Sequence, residues 1–459
     1  MIVQALQNIW NVPELKKRIL FMLGLLAVYR VGSWVPIPYI DPNALANWFG
    51  ANQGTVLGFL DLFSGGSFRR LAVFALGIMP YITASIILQL LTVVWPYLEK
   101  LSKEGELGRR KITTYTRYLT VVLSAVQSAA MALAFMRSPG IVTHPGIGFV
   151  LMTMITLTAG TAFIMWLGEQ ITERGIGNGM SLIIFAGIVV RLPDAIIEIY
   201  QKVATGEWSL LTVLIVVAVV LAIVAFVVLV ERGQRRITVQ YAKRVVGRRV
   251  LGGQSTHLPL RVNTSGVIPV IFASSVLTFP QTFGLVWQGG FWQRVTDHLR
   301  SGEPVFNLLY VAAIIFFCYF YTSIIFNPNE IADNMRKYGG FIPGIRPGKR
   351  TAEYVNDILT RITLVGALYL AFIAIIPEFM NAGFHVQRLP WIGSGLDAAL
   401  PTWITTGMGL QVLGGIFGGT SLLILVGVAM DTVQMVESQL IMRHYDGFLK
   451  KGRIRGRRG

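Results

Sequence analysis

Leu210-Leu-Thr-Val-Leu-Ile-Val-Val-Ala-Val-Val-Leu-Ala-Ile-Val-Ala-Phe-Val-Val-Leu229 is a run of twenty residues without a charge, and Val230-Glu-Arg-Gly-Gln-Arg-Arg236 follows it directly. Wound as a helix rising about 1.5 Å per residue, the run is about 30 Å long, the thickness of a bilayer's hydrocarbon core. A helix also satisfies its own N–H and C=O groups within one segment, as lipid requires. The change from apolar run to basic loop marks a membrane-spanning helix and the side on which it ends.

Nine further runs share this character: roughly Ile19 to Ile37, Leu71 to Trp95, Tyr118 to Phe135, Phe149 to Leu167, Gly179 to Val190, Val267 to Trp287, Phe306 to Phe326, Ile362 to Ile376 and Leu410 to Met430. Together they predict an all-α polytopic membrane protein with ten transmembrane helices. The forty Lys and Arg residues are sorted among the polar segments between the runs. Alternate segments hold 31 of them, the other set holds 8, and Arg30 lies inside the first run. Lys and Arg are retained on the cytoplasmic side, so both termini and the loops 230–266 and 327–361 are expected there. An even number of spans agrees, and the expected location is the cytoplasmic membrane.

Arg30 costs its span about 3 kcal/mol near a helix centre, which the Leu, Ile, Val and Phe residues around it offset at roughly 0.3 to 0.6 each. It is expected to reach an interface or a neighbouring polar group. The first run follows Lys16, Lys17 and Arg18, is long, and lacks a small-residue cleavage site, so it reads as a retained anchor. Cys318, the single cysteine, lies in an apolar run and reads as packing.

Enzymatic chemistry finds little support. His144, His257, His298, His385 and His444 stand far apart, with no metal-ligand spacing, and no nucleophile or paired-carboxylate constellation appears. Neither a catalytic residue nor a metal nor a cofactor is expected. Arg174-Gly-Ile-Gly-Asn-Gly179 resembles a nucleotide loop, yet no strand precedes it, and it reads as a tight turn between two spans. Pro343-Gly-Ile-Arg-Pro-Gly-Lys-Arg350 misses a phosphate-binding loop: Pro343 replaces the first glycine and Arg350 the Ser or Thr. An ion-coupled solute transporter would carry Asp, Glu or His at mid-membrane. The runs hold almost none, with Glu169 and Glu378 near span ends as ordinary interface residues.

Three features point elsewhere. Val56-Leu-Gly-Phe-Leu-Asp-Leu-Phe63, followed by Ser64-Gly-Gly-Ser-Phe-Arg-Arg70, is apolar but too short to cross. Eight helical residues reach about 12 Å, so the piece either lies at the interface or folds back into the protein. Pro80 in the second span and Pro269 in the seventh predict bends, and Ile78 and Ile82 share a helix face. Finally, Arg232, Arg235, Arg236, Lys243, Arg244, Arg248, Arg249 and Arg261 crowd one basic loop, and Arg336, Lys337, Arg346, Lys349, Arg350 and Arg361 the other. Such clusters set topology and attract anionic lipids. They also suit RNA phosphates or an acidic protein surface.

At these residues the chain resembles the SecY family, the channel subunits of the bacterial protein translocon, over nearly all 459 positions. The resemblance rests on Phe74-Ala-Leu-Gly-Ile-Met-Pro-Tyr-Ile82, Trp166-Leu-Gly-Glu-Gln-Ile-Thr-Glu-Arg-Gly-Ile-Gly-Asn-Gly179, Glu231-Arg-Gly-Gln-Arg-Arg236, Gln254-Ser-Thr-His-Leu-Pro-Leu260 and Phe341-Ile-Pro-Gly-Ile-Arg-Pro-Gly348. It implies two inverted five-helix halves, about Met1 to Val203 and Ala204 to Gly459, and an hourglass pore that threads unfolded polypeptide and opens sideways to lipid.

By that resemblance Ile78, Ile82, Met180, Ile184, Ile271 and Ile424 line the constriction. Branched apolar side chains there exclude water and ions without holding a passing chain; Met180 departs from the branched type. The short apolar piece becomes a re-entrant plug, with Leu57, Phe59, Leu60, Leu62 and Phe63 in its body and Gly65 and Gly66 as a hinge. Thr83, Gln127 and Asn263 match a polar cluster at the lateral gate. Arg346, then Arg248 and Arg249, would dock the SecA ATPase or the ribosome through its rRNA phosphates. SecE and SecG, signal sequences and nascent polypeptides, and anionic lipids complete the implied partners.

Overall fold

The computed structural model describes residues 12–51, 61, 64–138, 140–206, 208–241, 244–246, 249–251, 255–284, 299, 303–382 and 419–451. Each of the ten apolar runs carries a described helix. They are α1 (Pro13–Gly32), α3 (Met79–Val94), α5 (Glu106–Arg137), α6 (Ile147–Arg174), α7 (Gly179–Val189), α9 (Leu210–Arg232), α10 (Ile268–Gly284), α11 (Pro304–Ile325), α13 (Lys349–Ala382) and α14 (Gly419–Lys451). Shorter helices α2 (Pro42–Ala51), α4 (Pro96–Lys103), α8 (Leu192–Ala204) and α12 (Pro328–Lys337) flank them.

Seven helices or continuous helix pairs among the described residues are long and apolar enough to cross a bilayer, and α3 with α4, bent by 100°, makes an eighth. Helix α1 carries Lys16, Lys17, Arg18 and Arg30 within its 20 residues, and α10 spans only 17 described residues. Of α9 only Val216 and Val227 are buried, and Leu210, Leu211, Leu214, Leu221 and Leu229 stand open on its surface.

The proline expectation is corrected. Pro80 and Pro269 each occupy the second residue of their helix, where the first-turn N–H has no intrahelical partner to lose. They start helices rather than bend them. Prolines that do lie inside described helices are Pro280 in α10 and Pro377 in α13. The second span is also shorter than expected: residues 71–78 form turns, and the helix begins at Met79.

The chain forms two compact units, one of residues 1–197, 278–297 and 424–459, the other of residues 198–277 and 298–423. In the first, α5 packs on α6 and on α3. Thr116, Thr120, Ser124, Ser128 and Ala132 recur every fourth residue on α5 and are buried, one face of a 3.6-residue helix. Small side chains let helices approach closely where lipid gives no hydrophobic drive to association. Their hydroxyls bond within the helix, Thr120 to the Thr116 carbonyl at 2.7 Å and Ser128 to the Ala125 carbonyl at 3.0 Å, so these α5 side chains bring no bare donor into the seam.

In the second unit α11 packs on α13, and Phe272 of α10 meets Phe317 of α11 edge-on at 5.8 Å. The basic loop after α9 contains strands that its charge pattern did not announce. Here β1 (Gln234–Tyr241) pairs antiparallel with β4 (Ser255–Arg261), and its far end with β5 (Gly340–Phe341); β2 (Arg244–Val246) and β3 (Arg249–Leu251) form a hairpin. Ile237 and Val239 alternate inward on β1, as a two-residue repeat requires. Ile237, Leu260, Ile342, Val355 and Leu359 form the core that joins this sheet to α13.

A candidate channel constriction and the loop before the second span

The Gly-rich run after α6 is the tight turn its sequence suggests. Gly175 ends α6, Gly177 takes φ +90°, and Asn178 caps α7 by accepting from the Met180 N–H at 3.1 Å. Thr172 Oγ1 accepts from the Gly179 N–H at 2.9 Å. A Cβ at Gly179 would stand 2.0 Å from the Gly168 carbonyl oxygen, so α6 and α7 touch backbone to backbone. This contact sets where Met180 and Ile184 point.

Ile78, Ile82, Ile184 and Ile424 of the first unit are buried, as is Ile271 of the second. Ile78 caps α3, and its carbonyl accepts from the Ile82 N–H at 3.1 Å, which stacks the two side chains one turn apart. Met180 behaves differently from the branched residues. Its Sδ lies where a Cβ on Gly168 would be, 2.3 Å away, so its thioether fills the notch left by that glycine.

Residues 64–78 form a folded loop of turns. Phe68 and Leu71 are fully buried, and Phe68 packs edge-on against Phe49 of α2 at 5.4 Å. Backbone bonds from Ile37 N to Leu71 O (3.0 Å) and from Val73 N to Val35 O (2.9 Å) fasten the loop's far end beside α1. Gly65 has φ +64°, and a Cβ there would stand 2.8 Å from the Gly187 Cα of α7. Only glycine fits both the backbone angle and the space. Leu57, Phe59, Leu60, Leu62 and Phe63 lie outside the described residues.

Arg30 reaches a polar neighbour, as a cation in a span must: its Nη1 donates to the Gly65 carbonyl at 2.9 Å. Sequence reasoning missed the partners around it. Tyr29 Oη donates to the Ser64 carbonyl at 3.3 Å, and the buried Asp61 carboxylate pairs with Arg191 at 3.3 Å. The available signal was Asp61 itself, a lone acid inside an apolar octet.

Of the expected gate cluster, Thr83 donates to the Met79 carbonyl of its own helix at 3.0 Å, and Gln127 is half-buried on α5. Asn263 is buried and donates to Glu231 at 2.6 Å, while its Oδ1 accepts from Ser265 at 3.3 Å. Glu231 as its partner was not anticipated. Glu169 accepts from Arg117 Nε at 2.8 Å, tying α6 to α5. In the second basic loop Ile342 and Ile345 pack into the core under the sheet, leaving Arg346 exposed. Its carbonyl accepts from Thr351 Oγ1 at 3.1 Å. Arg248 lies outside the described residues, and Arg249 opens β3. No group of three or more His, Cys, Asp or Glu that could hold a metal ion occurs among the described residues.

The number and length of its apolar helices define a multi-pass helical membrane protein. The SecY family model matches residues 72–433. The chain is 50% identical over 450 residues to the protein translocase subunit SecY of Escherichia coli strain K12, covering 96% of each. It belongs to the SecY family, a family of channels rather than enzymes. Solved folds agree. A SecY structure described by its plug domain, which stabilises the closed state of that channel, matches with a TM-score of 0.64 at 16% identity over 92% of both chains. The canine Sec61 channel in its ribosome complex matches with a TM-score of 0.59 at 16% identity over 92% of both.

Proposed function

We propose that this chain is a protein-conducting channel of the cytoplasmic membrane, passing unfolded secretory polypeptides across it and releasing hydrophobic segments sideways into lipid. Full-length likeness to a bacterial translocase subunit carries the reading. Its two inverted halves are about Met1 to Val203 and Ala204 to Gly459. Ile78, Ile82, Met180, Ile184, Ile271 and Ile424 form the constriction, residues 57–70 the plug beneath it. The basic face and both termini are cytoplasmic, which is where the charge sorting puts Lys and Arg. SecE and SecG are its companion subunits, and SecA or a ribosome docks on the two basic loops. The test is reconstitution with SecE, SecG, SecA and ATP: a secretory precursor becomes protected from external protease. A precursor left fully digestible by an inserted, assembled channel refutes the reading.

Two smaller predictions arise here. A cysteine at Phe63 paired with one on the neighbouring pore wall should crosslink in resting membranes; no crosslink in a correctly inserted channel removes the plug assignment. At the gate, Asn263→Leu removes a bond of a kind worth about 0.6 to 2 kcal/mol between membrane helices. The signal hydrophobicity needed for export should shift, with acceptance of weak signals changing about 3- to 30-fold. An unchanged threshold ends that role.

A further inference from the structure

We propose that Arg191 and Arg30 are positioning residues for the plug, forming a polar clamp that grips Asp61 and the Ser64–Gly65 backbone and holds the resting channel shut. The inference rests on the plug assignment of residues 57–70. Asp61 is 4% exposed, and burying a carboxylate is costly unless it is paired and hydrogen-bonded. Its two oxygens are used separately: Oδ1 accepts from the Arg69 N–H at 2.8 Å, and Oδ2 faces Arg191 Nη2 at 3.3 Å. Its carbonyl accepts from the Gly66 N–H at 3.0 Å and from Ser64 Oγ at 3.2 Å. Arg30 and Tyr29 hold two further carbonyls, of Gly65 and Ser64 respectively.

The two sides of the glycine pair are held by different physics. Beyond Gly66, the chain is fixed by the fully buried Phe68 and Leu71 and by the backbone bridge to residues 35–37. Before it, residues 61, 64 and 65 are gripped by directional polar bonds from α1 and from the turn between α7 and α8, and Asp61 also accepts across the pair from the Gly66 and Arg69 N–H groups. Polar bonds can be exchanged for water or for another partner, whereas a packed aromatic loses its whole contact at once. Gly65 and Gly66, at φ +64° and +83°, therefore mark the point about which the plug swings when the clamp lets go. Gly187, against which Gly65 lies, is three residues beyond Ile184 on α7, so the clamp and the candidate constriction share one helix.

The test uses the assembled channel in sealed vesicles, reading resting ion leak, and in cells, reading export of a precursor with a weakened signal. Asp61→Asn keeps the acceptor for Arg69 but removes the charge; Arg191→Gln removes the other partner. Each should raise both readouts about tenfold or more, as loss of a charge-assisted bond does. The double variant should do no more than either single one, and Arg191→Lys should stay near the parent. Arg191→Gln should add nothing in a channel deleted for residues 57–70. Parental leak in both single variants, with the Phe63 crosslink intact, overturns the clamp and spares the plug. Additive effects, or an Arg191→Gln leak that persists without the plug, also overturn it by showing general loosening. Loss of the Phe63 crosslink in the parent channel fells the plug assignment and the clamp together.

Discussion

Reversing Arg346 to Glu is expected to abolish SecA-driven export while the channel still inserts and folds. The side chain is exposed at a turn whose shape does not depend on it. Ile342 and Ile345 are packed in the core under the sheet, Gly344 and Gly348 take φ of +81° and +108°, and Thr351 binds the Arg346 carbonyl rather than its guanidinium. A charged group projecting from so fixed a base has no fold-stabilising duty among the described residues. Its proposed duty is to meet an acidic surface or phosphates on a docking partner. Truncating one member of a buried interfacial charge pair costs about 2 to 5 kcal/mol, and reversal adds repulsion. Export should fall about a hundredfold, with unchanged membrane abundance and thermal stability. Normal export by the Arg346→Glu channel would refute its docking role; Arg346→Lys should retain part of the activity, since the charge remains but the planar fork is lost.

The second large effect concerns stability. Gly179→Val should disrupt the folded channel, because the new Cβ would stand 2.0 Å from the Gly168 carbonyl oxygen and 2.9 Å from its carbon. The obstacle is backbone, which cannot turn aside as a side chain does. Overpacking of this sort costs about 3 kcal/mol or more, and relieving it would drive α7, with Met180 and Ile184, away from α6. Gly148→Ala in α6 is the control, since a Cβ there meets nothing within 4 Å and replacing a helical glycine removes about 1 kcal/mol of conformational cost. Thermal unfolding of the purified channels should show a marked drop for Gly179→Val and none for Gly148→Ala. Equal melting temperatures would mean that the α6–α7 contact is looser than described.

The spans were legible because lipid imposes one rule on every residue of a crossing helix, and a run such as Leu210 to Leu229 has no other stable reading. Turn chemistry was legible at Gly175 to Gly179 for a similar reason, since a glycine at φ +90° and an Asn cap need only local sequence. Pro80 and Pro269 misled because a proline's effect depends on its distance from the helix start, and hydropathy does not place that start. The strands after α9 went unread because the loop's arginines mask the alternation of Ile237 and Val239. Least legible were the bonds of Arg30, Asp61, Arg191 and Asn263. Each joins residues far apart in the chain, up to 130 positions for Asp61 and Arg191, and a single sequence carries no record of such meetings.

The most direct measurement of the proposed channel is a site-specific crosslinking map of a precursor stalled midway through export. Photoreactive groups would replace Ile78, Ile82, Ile184, Ile271 and Ile424 in turn, with Leu214 and Leu221 on the exposed face of α9 as outward controls. A protein-conducting channel built as described gives precursor adducts from the five isoleucine positions and none from α9. Adducts confined to α9, or absent from every isoleucine position while the precursor is demonstrably stalled, would contradict it.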